Sequence, residues 1–288
     1  MVDYVIYTDS GCDIVPELLD KWGVKRLSLT FHFTDSEQEY KSDDMPIKEF
    51  YQNMRDGRVA KTAAVNFEAF KAAFEEELKA GRDVLYIGFS SGLSSTSESA
   101  QVAAKELAQE YPDRKVIAID TLCASAGEGM LVYLAAKMQA EGASVDETAA
   151  YINERYMKMC HWFTVDDLVY LKRGGRVSAA VALAGAVLGI KPVMHVDDEG
   201  HLINMSKARG RKAAIKALAQ KYAELLENPN EKMYFISHGD CLEDAELLED
   251  MIYQQNGQKA EVITNVGPVI GAHSGPGTLA LFFFGKER

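Results

Sequence analysis

Over the first 160 residues, short apolar runs alternate with longer stretches of mixed polarity. Residues 3–8 (Asp-Tyr-Val-Ile-Tyr-Thr), residues 24–33, Asp83–Phe89 and Lys115–Asp120 are β-rich runs and predict strands. Helices are predicted at about 15–22, 47–55, 66–80, 96–110, 127–141 and 145–158. The first is expected to open on Asp13 as N-cap, with Pro16 in its first turn. The third is expected to stop at Gly81. Apart from the helix at 47–55, residues 35–61 are polar and mixed. Strands separated by helices of this length predict a parallel sheet with helices on both faces.

The rhythm changes near residue 160. Lys172-Arg173-Gly174-Gly175-Arg176 is a basic loop, followed by a small-residue helix predicted at Val177–Leu188. Lys191–Val196 and His201–Ser206, joined by Asp197-Asp198-Glu199-Gly200, predict a β-hairpin. A helix at 210–227, a strand at 232–237, a helix at 242–256 and a strand at 260–266 follow. Residues 262–285 hold no Asp, Glu, Lys or Arg, enough length to span a bilayer. They also hold Asn265, His273, two prolines and five glycines, which break a helix, so a strand, a turn and a final strand at Leu279–Phe284 are predicted instead. The fold class is thus α/β in two domains. Residues 1–160 would form a Rossmann-like parallel-sheet domain, and residues 161–288 an α/β domain with a mixed sheet and hairpin.

Composition narrows the function. The net charge of −12 opposes generic nucleic-acid binding, which needs a positive footprint. Cys12, Cys123, Cys160 and Cys241 are far apart with no C-x-x-C or Cys/His cluster. A metal site is therefore not expected, and the cysteines read as reduced thiols of a cytoplasmic protein. Met1-Val2-Asp3-Tyr4 has no basic n-region or apolar signal core. Neither G-x-x-x-x-G-K-[ST] nor a complete G-x-G-x-x-G after a strand occurs, so autonomous phosphoryl transfer is unsupported.

Four places could carry chemistry. Ser90-Ser91-Gly92-Leu93-Ser94-Ser95-Thr96 lies between a strand and a helix, where free N–H groups and hydroxyls can cradle an anion or simply cap the helix. Its start, Gly88-Phe89-Ser90-Ser91-Gly92, also fits G-x-S-x-G, a hydrolase elbow that would use Ser90, an Asp and His238 or His273. Several more turn-forming residues follow Ser90 before the helix, unlike such an elbow. His273 stands between two Gly/Pro turns in the uncharged stretch, as an anion donor, a proton shuttle or a hydrogen-bonded core histidine. Lys172/Arg173/Arg176 and Lys207/Arg209/Arg211/Lys212 are basic clusters suited to a phosphorylated group, an acidic partner or plain solvation. Asp9-Ser10-Gly11-Cys12-Asp13 and Asp120-Thr121 sit at strand carboxyl ends, where open α/β sheets place ligands and where Asp/Ser turns also occur for structural reasons. The uncharged Val177–Ile190 stretch and Phe282–Phe284 are either core or the wall of a tail pocket. In such a pocket a fatty acid gains about 0.8 kcal/mol per buried CH₂.

At these residues the sequence resembles the DegV family of bacterial fatty-acid-binding proteins, along the whole chain. The motifs are Thr8-Asp9-Ser10-x-x-Asp13, Ser90-Ser91-Gly92-Leu93-Ser94-x-Thr96 and Leu171-x-Arg173-Gly174-Gly175-Arg176-Val177. Ile190-Lys191-Pro192, Ala208-Arg209-Gly210-Arg211 and Gly267-Pro268-Val269-Ile270-Gly271-x-His273-x-Gly275-Pro276-Gly277 complete the set. The resemblance implies a two-domain protein that encloses one long-chain fatty acid and needs no cofactor. It implies a part in phospholipid metabolism as the FakB-like subunit of a fatty acid kinase. Such a subunit is not an enzyme by itself and shows its acid to a separate ATP-dependent kinase subunit, which makes the acyl phosphate. By the same resemblance Thr62, Ser94 and His273 hold the carboxylate, with Ser91, Ser95, Thr96 and Ser274 in support. Arg173, Arg176 and Arg209 would face the kinase or the new phosphate, and exchange with membrane lipid would be transient. Two departures stand out. Thr62-Ala63-Ala64-Val65 replaces the family's Thr-Ser-x-Pro, and Leu93-Ser94-Ser95-Thr96 replaces Leu-Ser-Gly-Thr. The rival expectations are a serine hydrolase using Ser90 and a lipid-sensing module without a kinase partner.

Overall fold

The computed structural model describes residues 4–178 and 189–288. Its first half runs β1 (Tyr4–Asp9), α1 (Pro16–Trp22), β2 (Val24–Leu27), β3 (Thr30–Phe33), β4 (Glu39–Lys41), α2 (Ile47–Arg55), β5 (Ala60–Ala63) and α3 (Phe67–Lys79). It continues with β6 (Asp83–Phe89), α4 (Thr96–Glu110), β7 (Val116–Cys123), α5 (Ala126–Ala140) and α6 (Val145–Arg155). The second half holds β8 (Met159–Thr164), α7 (Val169–Arg173), β9 (Ile190–Val196), β10 (Leu202–Arg209), α8 (Arg211–Leu225), β11 (Tyr234–His238), α9 (Leu242–Asn256), β12 (Val262–Asn265), α10 (Pro268–Ser274) and β13 (Leu279–Phe284).

The βα alternation gives a parallel sheet, β2-β1-β6-β7. From Met159 onward the chain builds a mixed six-stranded sheet, β10-β9-β8-β13-β11-β12, in which only β11 and β12 pair in parallel. The fold is therefore mixed α/β, as the alternation and the hairpin predict. The small-residue helix predicted at Val177–Leu188 falls almost wholly on 179–188, outside the described residues.

Helix α5 explains how the two sheets share a core. Ala126, Met130, Leu131, Val132 and Ala135 bury it nearly all round, which is the mark of a helix enclosed on every side. One apolar cluster joins it to Ile6 and Ile87 of the parallel sheet and to Phe163, Phe235 and Phe282 of the mixed sheet. Gly127 permits this approach, because a Cβ there would strike the His161 ring and Phe282.

Four expectations are corrected. The run at 24–33 is not one strand: it breaks at Ser28-Leu29, so that β2 joins the parallel sheet and β3 a separate one. The polar segment 35–61 contributes to that separate antiparallel sheet, β4-β3-β5, whose buried Phe31 and Phe33 pack on Phe50 of α2. Asp13 does not cap α1, where Val15 holds the N-cap position without a side-chain bond. Asp13 instead adopts the left-handed conformation (φ 51°) and turns its carboxylate inward. Finally, Gly267–Gly277 is not a pair of turns around a histidine. Pro268 starts α10 at its first turn and Gly275 (φ 84°) ends it, so His273 rides on a helix.

Candidate functional site

A partly open cavity of about 260 Å³ lies between the parallel-sheet loops, the face of the mixed sheet and α10. Most of its wall is apolar, including Phe89, Phe163, Val196, Leu202, Val269 and Phe282. Thr62, Ser94, Ser95, Arg176, His273 and Ser274 also line it. This is the general layout of a ligand pocket, a greasy body with a few placed polar groups.

Each polar group comes from a different element. Thr62 sits on the edge strand β5, opposite Phe31 of β3. Its Oγ1 lies 2.8 Å from Nε2 of His273 on α10. Burial of the ring, with the neighbouring Arg176 cation second, lowers the His273 pKa to about 4, so the imidazole is neutral at pH 7. Nδ1 of His273 and Oγ of Ser274 are buried with no hydrogen-bond partner among the described residues. Gly174 packs against that Nδ1, leaving no room for a side chain.

The loop after β6 supplies the rest. Its Ser94 hydroxyl lies 2.9 Å from that of Thr96 and accepts from the Thr96 N–H at 3.3 Å. Ser91 donates its N–H to Asp120. Ser95 takes the N-cap position of α4 without a side-chain cap, so its hydroxyl is not spent on the helix. Arg176 ties this loop down: Nε and Nη2 reach Leu93 O at 3.2 and 2.9 Å, and Nη1 bonds Gly174 O. One guanidinium thereby joins the hydroxyl loop to the Gly-Gly loop that abuts His273.

The three arginines grouped by sequence therefore divide. Arg176 is half-buried and faces the cavity, while Arg173 and Arg209 are exposed. Arg173 lies over the Tyr170 ring.

The hydrolase expectation fails on geometry. Ser90 is fully buried, donates to Gly200 O at 3.0 Å and accepts from Gly92 N at 3.1 Å. Among the described residues no histidine hydrogen-bonds Ser90: His238 accepts from Cys241 N and His273 pairs with Thr62. Among the described residues Ser90 has no hydrogen-bonded base, and it fastens its loop to the β9–β10 hairpin.

The sequence reading missed Ser125, Ser237 and His161 in the cavity wall. They are single residues with no motif around them. Period-2 alternation along the mixed-sheet strands could have placed His161 on the Phe163 face, and Ser237 beside Ala280, only once strand pairing was known.

The family model described as "Uncharacterised protein, DegV family" matches residues 3–286. The chain belongs to the DegV family. A DegV domain-containing protein of Clostridium perfringens is 43% identical over 100% of this chain and 99% of its own length. Among solved structures, a Thermotoga maritima protein reported to reveal fatty acid binding function superposes with a TM-score of 0.84 at 28% identity, over 99% of this chain and 100% of its own. A stearic-acid-binding protein of Eubacterium ventriosum gives 0.86 at 25% identity, over 98% of each chain. Among the described residues of this DegV-family chain, no helix is long and apolar enough to cross a membrane.

Proposed function

We propose that this DegV-family protein binds one long-chain fatty acid between its two halves, residues 1–160 and 161–288. The carboxylate meets the hydroxyls of Thr62 and Ser94, and the acyl chain fills the apolar cavity. The observation that carries this reading is the Thr62–His273 pair, set in the wall of a mostly apolar cavity. The fatty-acid-binding relative of Thermotoga maritima, alike over the whole chain, supports it.

The geometry dictates a division of labour. Thr62 can give its proton to a carboxylate only if His273 Nε2 keeps its own proton and donates to Thr62 Oγ1. The neutral ring then bears its lone pair on Nδ1, facing Gly174. The acid is thus clasped by hydroxyl dipoles, with the Arg176 cation near the ring, rather than by an ion pair with histidine. Hydrogen bonds to a charged group are each worth about 1.5–3 kcal/mol, and each buried CH₂ adds about 0.8 kcal/mol.

In the same proposal the bound carboxylate is presented to a separate ATP-dependent kinase subunit in the cytoplasm. That subunit transfers the terminal phosphoryl group of ATP to a carboxylate oxygen, giving acyl phosphate and ADP. Exposed Arg173 and Arg209 are suited to meet the partner or the phosphate.

Native mass spectrometry of the purified protein tests the first half: a single long-chain acid is expected as an adduct. Protein recovered lipid-free and unable to take up palmitate or stearate would overturn it. The second half is tested by capture of the kinase and ATP-dependent acyl phosphate formation, which Arg209→Ala should weaken while lipid binding persists.

A further inference from the structure

A second polar station lies in the same cavity wall, on elements other than those that carry Thr62, Ser94 and His273. Ser125 and Ser237 both line the cavity, at 5% and 0% exposure, with their hydroxyls 2.8 Å apart. Among the described residues its hydrogen bonds do not join those of Thr62, Ser94 and His273. Ser125 donates to Asp13 Oδ2 at 2.5 Å, and Asp13 Oδ1 also accepts from Gly267 N at 2.9 Å. Ser237 is opposite Ala280 on β13, which in turn is opposite Phe163 on β8. Ser237 and the small Ala280 opposite it both belong to the cavity wall, beside the bulky Phe163.

Proton direction follows from this chain. An ionised Asp13 takes the Ser125 proton. Ser125 oxygen is then the acceptor for the Ser237 proton, and the Ser237 oxygen is left with unused lone pairs. A plain CH₂ chain gives such an oxygen nothing. A hydroxyl on the chain would give it a hydrogen bond and would itself avoid the cost of being buried unpaired.

We propose that the Ser237–Ser125 pair is a subsite for a hydroxyl carried part-way along the acyl chain, so that hydroxylated long-chain fatty acids are a ligand class of this cavity. The inference rests on the fatty-acid reading above and names a class of acid within it. Asp13 sets the polarity of the subsite. Burial raises its pKa to about 7, the buried Asp9 and Glu128 oppose its charge, Arg26 favours it, and the buried Tyr51 phenol, which donates to Val266 O, feels it. The carboxylate form is therefore the main one at pH 8.

The test is displacement binding at pH 8 with stearate and a series of hydroxystearates whose hydroxyl moves along the chain. One interior position is expected to bind roughly fivefold tighter than its neighbours, the worth of one net hydrogen bond. In Ser237→Ala the affinity ratio of that isomer to its neighbours is expected to fall to about one. Stearate binding with a flat isomer series, or a peak that survives Ser237→Ala, overturns the subsite alone. Failure of stearate and all isomers to bind the unaltered protein overturns the fatty-acid reading and the subsite with it. Should Ser237→Ala not fold, Ser125→Ala, which removes the other hydroxyl, must abolish the same peak.

Discussion

Thr62 Oγ1 and His273 Nε2 meet at 2.8 Å across 211 residues of chain. The strand that carries Thr62 and the helix that carries His273 come from opposite ends of the sequence, so the contact is made only in the folded protein. Thr62→Val keeps the shape of the side chain and removes its hydroxyl. Fatty-acid affinity should drop about tenfold or more, the loss of one hydrogen bond to a charged group. Titration with a fluorescent fatty acid measures it, and an unchanged Kd would falsify the proposed role of Thr62.

The buried His273 also makes a prediction about acid stability. Its pKa falls from 6.5 to about 4 in the fold. As pH drops, the unfolded chain takes up this proton first. The stability contributed by the neutral ring is complete above about pH 6.5 and is lost as pH falls toward 4. His273→Gln removes that titration. The stability difference between the two proteins should change by about 2 kcal/mol between pH 7.5 and 4.5, read from urea midpoints. A constant difference would mean that the ring is not shielded.

Asp13 runs the other way. Burial raises its pKa to about 7, so the folded protein holds the proton where the unfolded chain has released it. This contribution is complete below about pH 4 and declines as pH rises through 7. Asp13→Asn keeps an acceptor for Gly267 N, suits the left-handed backbone, and cannot ionise. It should gain stability on the unaltered protein as pH rises from 5 to 8, on the order of 2 kcal/mol. Parallel pH profiles for the two proteins would contradict this.

Ser90→Ala separates a fastening serine from a nucleophile. It leaves Gly200 O and Gly92 N without their partner, at a cost of about 1–3 kcal/mol. The expected result is a lower denaturation midpoint, and no fluorophosphonate label on Ser90 in the unaltered protein. A label that disappears in Ser90→Ala would restore the hydrolase reading.

Arg176→Lys tests the bridge between loops. Lysine keeps the charge but not the planar fork that reaches Leu93 O through two nitrogens. Faster amide exchange is expected around Leu93–Ser95, with several-fold weaker fatty-acid binding. Exchange at the unaltered rate would show that the fork does not order the loop.

Much of the architecture can be read from the chain because the signals are local. Asp83–Phe89 is an apolar run followed by a serine-rich turn and a helix, and β6 and α4 fall there. What escaped depended on distant partners. Ala-Lys-Thr-Ala at β5 has no apolar alternation, and becomes a strand only because Phe31 and its neighbours offer an edge. The glycines around His273 suggest turns, yet Pro268 and Gly275 are the start and stop of a seven-residue helix. Asp13 has the composition of an N-cap, but its partners, Ser125 and Gly267, lie 112 and 254 residues away. The Ser94 loop was legible from its position. The inward turn of Arg176, unlike Arg173, was not, because one-dimensional spacing does not tell which of three cations finds carbonyl acceptors.

The glycine-tight seat of His273 has one more consequence. A Cβ at residue 174 would fall 2.2 Å from Nδ1, so only glycine lets the imidazole keep its place. A single added methyl at residue 174 would dislodge the imidazole and with it the partner of Thr62, so the clasp depends on a residue that offers the ligand no side chain at all.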